Sequence, residues 1–270
     1  MKILLFTIAI AMIPLFASAA EKSSAKKGVC LGGQSGESIE KQLESLNISW
    51  HYNWTPTWKG KKINHAEYVP MFWGDRPWCH SGFSGLQVDR SKMQTSPLLT
   101  FNEPDRANQS NMTVAKALEM WPMMEKTNRR LGSPVTVHAD NAWMKEFMKE
   151  AEKKKFRIDF ICVHWYGVND PDNFINHIES IYKLYKKPIW ITEFAIADWK
   201  AKDIKDNKEK PADVIRFMKK ALPKLEKLKY VERYAWFTCS TKSATLGNSG
   251  LFKDDGSLTE VGEFYSKFAK

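Results

Sequence analysis

Two glutamates close apolar runs: Glu103 ends Leu99-Thr100-Phe101-Asn102-Glu103, and Glu193 ends Ile189-Trp190-Ile191-Thr192-Glu193. A lone glutamate in such a place reads as an exposed strand-end charge. A pair, one preceded by an amide and both set among aromatics, suits a reaction that needs two carboxyls at once. Glycosidic bond cleavage is such a reaction: one carboxyl protonates the departing oxygen while the other attacks or stabilises the anomeric carbon, about 5–5.5 Å away in the retaining version. Asn102 is suited to hydrogen-bond a sugar 2-hydroxyl, a contact that strengthens in the transition state; its other reading is an Asx-turn cap. Tyr166 is placed to donate to the Glu193 carboxylate. His164 and His138 read equally as groups that tune the carboxyls or bind hydroxyls and as satisfied core histidines.

Sugar rings present apolar C–H faces, and the chain's 11 tryptophans supply rings to meet them. Trp165 and Trp190 read as core. Trp236 is expected to form the floor under the reacting sugar, with Trp54, Trp73 and Trp143 as outer platforms. No metal is expected, because neither an H-x-x-x-H pair nor a paired-cysteine knuckle occurs. A nucleophilic serine has no G-x-S-x-G to support it.

The elements that must position these residues follow from periodicity. β-rich runs occur at 28–33, 48–54, 68–73, 97–103, 135–139, 160–166, 188–194 and 234–239. Helical spacing is clearest at 38–46, 113–131, 143–154, 173–185, 213–228 and 259–268. Eight strands alternating with helices predict the α/β class and a single (β/α)8 TIM barrel, with strands four and seven facing one another across the ring. Alternation then predicts that Leu99, Phe101 and Glu103 share the inward face, as do Ile189, Ile191 and Glu193. The stretches 55–67 and 74–96 lack a helical period, so irregular or missing helices are expected after strands two and three. A doubly wound sheet is the structural alternative, weakly supported by Gly32-Gly33-Gln34-Ser35-Gly36.

Residues 1–19 read as a removed signal peptide: Lys2, an apolar run from Ile3 to Phe16 too short to span a bilayer, and the small-x-small Ala17-Ser18-Ala19. The expected product, 20–270, is one catalytic barrel without a membrane span, secreted, periplasmic or at the cell surface, and acting as a monomer. Export permits disulfides, yet Cys30, Cys79, Cys162 and Cys239 allow three pairings and none is specified. Cys162 and Cys239, inside apolar runs, read as buried free thiols. Asn47, Asn53, Asn108 and Asn111 are glycosylation sequons that matter only in a glycosylating host. The net charge of +10 comes from lysine-rich helix faces such as Lys145, Lys149 and Lys153 or Lys219, Lys220 and Lys224, a solvated surface rather than a nucleic-acid site.

Three motifs, Thr100-Phe101-Asn102-Glu103-Pro104-Asp105, His164-Trp165-Tyr166 and Trp190-Ile191-Thr192-Glu193-Phe194-Ala195, resemble those of glycoside hydrolase family 128. The resemblance extends to Trp50-His51-Tyr52-Asn53-Trp54 and Tyr234-Ala235-Trp236-Phe237, and so to nearly the whole mature chain. It implies endo-acting, retaining hydrolysis of β-1,3-glucan without a cofactor, Glu103 as acid/base and Glu193 as nucleophile. The segment 74–89, with Trp78 and Cys79, lies outside it. Alternatives are a retaining glycosidase acting on another β-glucan or a β-mannan, and a non-catalytic glucan-binding barrel. A pure binder has no need of two converging acids, one of which must be kept protonated.

Overall fold

The computed structural model describes residues 24–31, 37–63 and 65–268. The expected signal peptide and Gly32 to Gly36 lie outside them. Eight parallel strands follow in order: β1 (Lys27–Cys30), β2 (Trp50–Tyr52), β3 (Glu67–Tyr68), β4 (Pro97–Leu98), β5 (Arg130–Leu131), β6 (Ile161–Gly167), β7 (Ile189–Ile196) and β8 (Val231–Phe237). One sheet runs β3-β2-β1-β8-β7-β6, and β4 pairs with β5. Single parallel bridges, Met71 to Leu99 and Gly132 to Phe160, join the two sheets at both ends. Every strand therefore has a parallel neighbour on each side, as a (β/α)8 barrel requires.

Helices fill the outer layer: α1 (Glu37–Ser45), α2 (Pro77–Ser81), α3 (Val114–Glu125), α4 (Ala142–Lys153), α5 (Pro171–Tyr185), α6 (Pro211–Lys227) and α7 (Glu260–Lys267). No helix follows β2 in the described residues, and after β3 only the short α2 and two 3-10 turns appear. Side-chain oxygens of Thr113, Asn141, Asp170 and Thr259 accept from backbone N–H groups in the first turns of α3, α4, α5 and α7, which fixes where those helices begin. Helix α3 is shorter than the 113–131 pattern, because Asn128 adopts a left-handed φ of 54° and turns the chain into β5. The fifth strand accordingly precedes the expected 135–139. Only Val135 of that stretch bridges, to Asn102.

Alternation sorts the apolar side chains into two cores. Val29, Ile161, Val163, Ile189, Ile191, Phe194, Tyr234 and Trp236 face the helices. Cys30, Trp50, Tyr52, Met71, Leu99, Phe160, Cys162 and Trp190 fill the barrel. Gly28 has no room for a side chain, since a Cβ would lie 2.3 Å from the Trp50 indole nitrogen. Below them Trp190 stacks on Phe160 at 4.2 Å, and the Arg233 guanidinium covers Trp190 at 4.4 Å. Arg233 also pairs with Glu67 at 2.5 Å. The interior is thus packed from its floor upward, and chemistry is left to the carboxyl ends of the strands. All four cysteines are free, Cys239 half-buried and the others buried. Among the described residues no helix is long and apolar enough to cross a membrane.

Candidate active site

Both glutamates reach the mouth, but not by simple alternation. Ile189 and Ile191 face the helices, and so does Phe101, whose ring meets Trp121 at 6.1 Å and Phe72 at 6.3 Å. The expectation of one shared parity is therefore corrected. In β7 the register slips between Ile191 and Phe194, and His164 of β6 pairs with Glu193 directly after Val163 pairs with Ile191. This irregularity resets the alternation and turns Glu193 inward. Glu103 reaches the same space through a left-handed backbone, φ 40°, with its N–H bonded to the Val135 carbonyl at 2.7 Å. A positive φ on a residue other than glycine is costly and is retained where the surroundings enforce it. Trp54, also at the mouth, has φ 63°.

The Glu193 carboxylate is surrounded by donors. Trp54 Nε1 donates to Oε1 at 2.7 Å, the Tyr52 hydroxyl to Oε1 at 3.2 Å, and the Tyr166 hydroxyl to Oε2. Burial first, and then the charge of Glu193, push both phenols well above their ordinary value, so they remain donors. On the other side stands His164, with Nδ1 3.1 Å from Glu103 Oε1 and Nε2 3.3 Å from Glu193 Oε1. The second contact is too oblique to count as a hydrogen bond. Burial pushes the Glu103 carboxyl up, but the bond from His164 and the charges of His164, Arg106 and His138 outweigh it and hold the group below its ordinary 4.5. Burial would likewise lower His164, yet Glu193 and Glu103 raise it above 6.5. Both carboxylates thus favour the protonated form of the imidazole that stands between them.

These groups sit in a cleft of about 860 Å³. Trp54, Trp73, Asn102, Glu103, His138, His164, Tyr166 and Glu193 all line it. Asn102 Oδ1 is buried without a protein partner, while its amide nitrogen reaches Gln109 Oε1 at 3.4 Å. A buried acceptor left unpaired suits a donor supplied by a ligand.

Two expected platforms are elsewhere. Trp236 is fully buried, packs on Phe194 at 4.9 Å and donates to the Ser249 carbonyl at 2.9 Å. It has the outward parity of β8, and its neighbour Phe237 takes the cleft position. Trp143 stacks on Phe147 at 5.5 Å and donates to the Met112 carbonyl at 2.8 Å, bracing the loop after β4 rather than lining the cleft. The cleft also contains Arg106, Gln109, Asn173, His177 and Trp199, which lie on loops or on the first turns of α5, beyond the strand ends surveyed in the sequence. Their only local signal is nearness to those ends. No cluster of ligating side chains that could hold a metal occurs among the described residues.

A parallel barrel with two facing carboxylates and an aromatic cleft at the carboxyl ends of its strands defines a class, the barrel glycoside hydrolases. The profile of a family described as "Glycosyl hydrolase catalytic core" matches residues 28–265. The chain is 33% identical over 229 residues to Alkali-sensitive linkage protein 1 of Schizosaccharomyces pombe, covering 81% of this chain and only 40% of that longer protein. Among solved structures it is similar to a subgroup I endo-β-1,3-glucanase of glycoside hydrolase family 128 from Amycolatopsis mediterranei, in complex with laminaritriose. That match has 32% identity, covers 91% of this chain and 100% of the other, and has a TM-score of 0.76. A subgroup II endo-β-1,3-glucanase from Sorangium cellulosum matches at 26% identity, over 90% and 98% of the two chains, with a TM-score of 0.69. The fold alone is shared with a subgroup VII oligosaccharide-binding protein from Trichoderma gamsii, at 21% identity over 97% and 98% of the chains and a TM-score of 0.71. The chain belongs to the glycosyl hydrolase catalytic-core family, and within it to glycoside hydrolase family 128.

Proposed function

We propose that the chain is an endo-acting β-1,3-glucanase that cleaves with retention, Glu193 serving as nucleophile and Glu103 as acid/base. The observation that carries this reading is the linked pair: Glu193 held by Trp54, Tyr52 and Tyr166, and joined to Glu103 through one imidazole. The polymer is inferred from the related glucanases, one of which was solved with laminaritriose.

In the first step an electron pair of the Glu193 carboxylate forms a bond to the anomeric carbon as the glycosidic C–O bond breaks. His164 Nδ1 passes its proton to Glu103 Oε1, and Glu103 delivers it to the leaving oxygen as that bond breaks. Glu193 loses its charge on becoming an ester and His164 loses its own, so the charge of the site is unchanged. Water then attacks the same carbon, Glu103 accepts its proton and passes it back to His164, and the Glu193 carboxylate is released. Asn102 Oδ1 accepts the sugar 2-hydroxyl, and Trp54, Trp73 and Phe237 meet C–H faces. The cleft is complete within one chain, which fits action as a monomer. The apolar start and Ala17-Ser18-Ala19 support export to where such polymers occur.

Incubation with laminarin and curdlan, followed by sizing of products, tests polymer and endo mode together. Internal cuts giving a ladder of oligomers are expected, and none from Glu193→Ala, which still binds glucan. Full activity in that variant, or cleavage of a β-mannan or mixed-linkage glucan in preference, refutes the assignment.

A further inference from the structure

The segment after β3 replaces a helix with short turns and carries a tryptophan that lies outside the cleft lining. Trp78, on α2, is 44% exposed, uncommon for so large an apolar ring in a folded chain. The arm that holds it is built rigidly. Cys79, next to it, is fully buried, and the His80 and Phe83 rings lean edge-on against the buried Phe72 at 5.4 and 6.0 Å. His80 also contacts Asp75 at 2.7 Å, and Asp75 pairs with Lys116 of α3 at 3.5 Å. Gly74 approaches Ser110 so closely that a Cβ would lie 2.6 Å from the serine Cβ.

The arm is also continuous with the site. The Trp78 ring lies 5.8 Å from that of Trp73, tilted by 39°, and Trp73 lines the cleft. Arg76 covers Trp73 at 5.7 Å and donates to the Gln109 carbonyl at 3.3 Å, tying the arm to the loop after β4 that also contributes to the cleft. On the far rim Trp199, following β7 and 61% exposed, lines the other end. In the ring β7 lies opposite β3 rather than β4, so Trp199 and Trp73 line the same cleft as both glutamates from opposite strands, and Trp78 extends the aromatic surface beyond Trp73.

We propose that Trp78, fixed by the α2 arm, is an outer subsite that stacks on a glucose unit of a β-1,3-glucan extending beyond the cleft. This rests on the glucanase reading above. A ring held rigid before binding loses little freedom when a sugar stacks on it, so the contact adds affinity for long chains.

The test compares wild type, Trp78→Ala and Trp78→Phe on β-1,3-linked glucose oligomers from trimer to heptamer. Turnover and calorimetric binding are both measured, and melting temperature serves as the check on folding. Trp78→Ala is expected to lower kcat/KM about tenfold on the heptamer, through KM, with the loss shrinking as the oligomer shortens. Trp78→Phe is expected to recover most of it. An equal loss at every length, or no loss at any, overturns the subsite and leaves Trp78 as a cover for Trp73. If wild type turns over none of the oligomers, the glucanase reading fails instead. The calorimetric length dependence then decides the subsite by itself, and its absence overturns it.

Discussion

The half-buried Glu103 and the buried His164 form a pair, Oε1 to Nδ1 at 3.1 Å, and the second nitrogen of the same ring faces Glu193 at 3.3 Å. One imidazole thus faces both carboxyls, and its bond and charge lower the pKa of Glu103. Glu103 is held below 4.5 in the folded chain, so the stability it contributes is present above 4.5 and lost as pH falls through its lowered value. His164 is raised above 6.5, so its contribution is present below 6.5 and lost as pH rises through the raised value.

Activity should therefore fall on the alkaline side as His164 gives up its proton. In His164→Gln the alkaline limb of the kcat/KM profile is expected to move or vanish, along with a large fall in kcat. A profile that keeps the wild-type limb would show that the proton is stored elsewhere.

Tyr166 donates to Glu193 Oε2 and stays protonated at all ordinary pH. A hydrogen bond to a charged group contributes about 1.5–3 kcal/mol, so Tyr166→Phe should lower kcat by roughly 10- to 100-fold with little change in KM. Steady-state kinetics on laminarin checks this, and an unchanged kcat excludes the role.

Neighbouring β8 aromatics should behave oppositely. Trp236→Ala removes a fully buried ring and is expected to cost about 3–5 kcal/mol, a drop in melting temperature on the order of 10 °C. Phe237→Ala, facing the cleft, should raise KM severalfold with a much smaller thermal effect. Thermal melts and kinetics on the two variants separate the faces, and the reverse pattern contradicts the register described.

His51 is buried against Trp58 and Tyr68, and burial, then the charge of His65, lowers it from 6.5 to about 4. The unfolded chain accepts a proton that the folded one refuses, so this group removes stability as pH falls below 6.5, by on the order of 3 kcal/mol near pH 4. His51→Phe should consequently lose less melting temperature than wild type between neutral pH and pH 4. Parallel losses would assign acid sensitivity to other groups.

The barrel was legible because α1, α4, α5, α6 and α7 carry a clear helical period and the long β6, β7 and β8 read as strands. Strand β5 was hidden: Gly132-Ser133-Pro134 interrupts the run, and Pro134 has no N–H for a ladder. The acidic pair was found from residue types at strand ends, yet its inward orientation depends on a register slip in β7 and a left-handed Glu103, neither visible in alternation. The same reliance on type over parity favoured Trp236 above Phe237. Arg106 and His177 carry no local pattern, because the fold and not the neighbouring sequence brings them to the cleft.

The most direct test of the central claim is covalent trapping with a 2-deoxy-2-fluoro β-1,3-gluco-oligosaccharide carrying a good leaving group, followed by mass mapping of the peptides. A glycosyl ester on Glu193 is expected. A chain that hydrolyses laminarin yet is labelled on another residue, or never labelled, contradicts Glu193 as the nucleophile and with it the retaining mechanism.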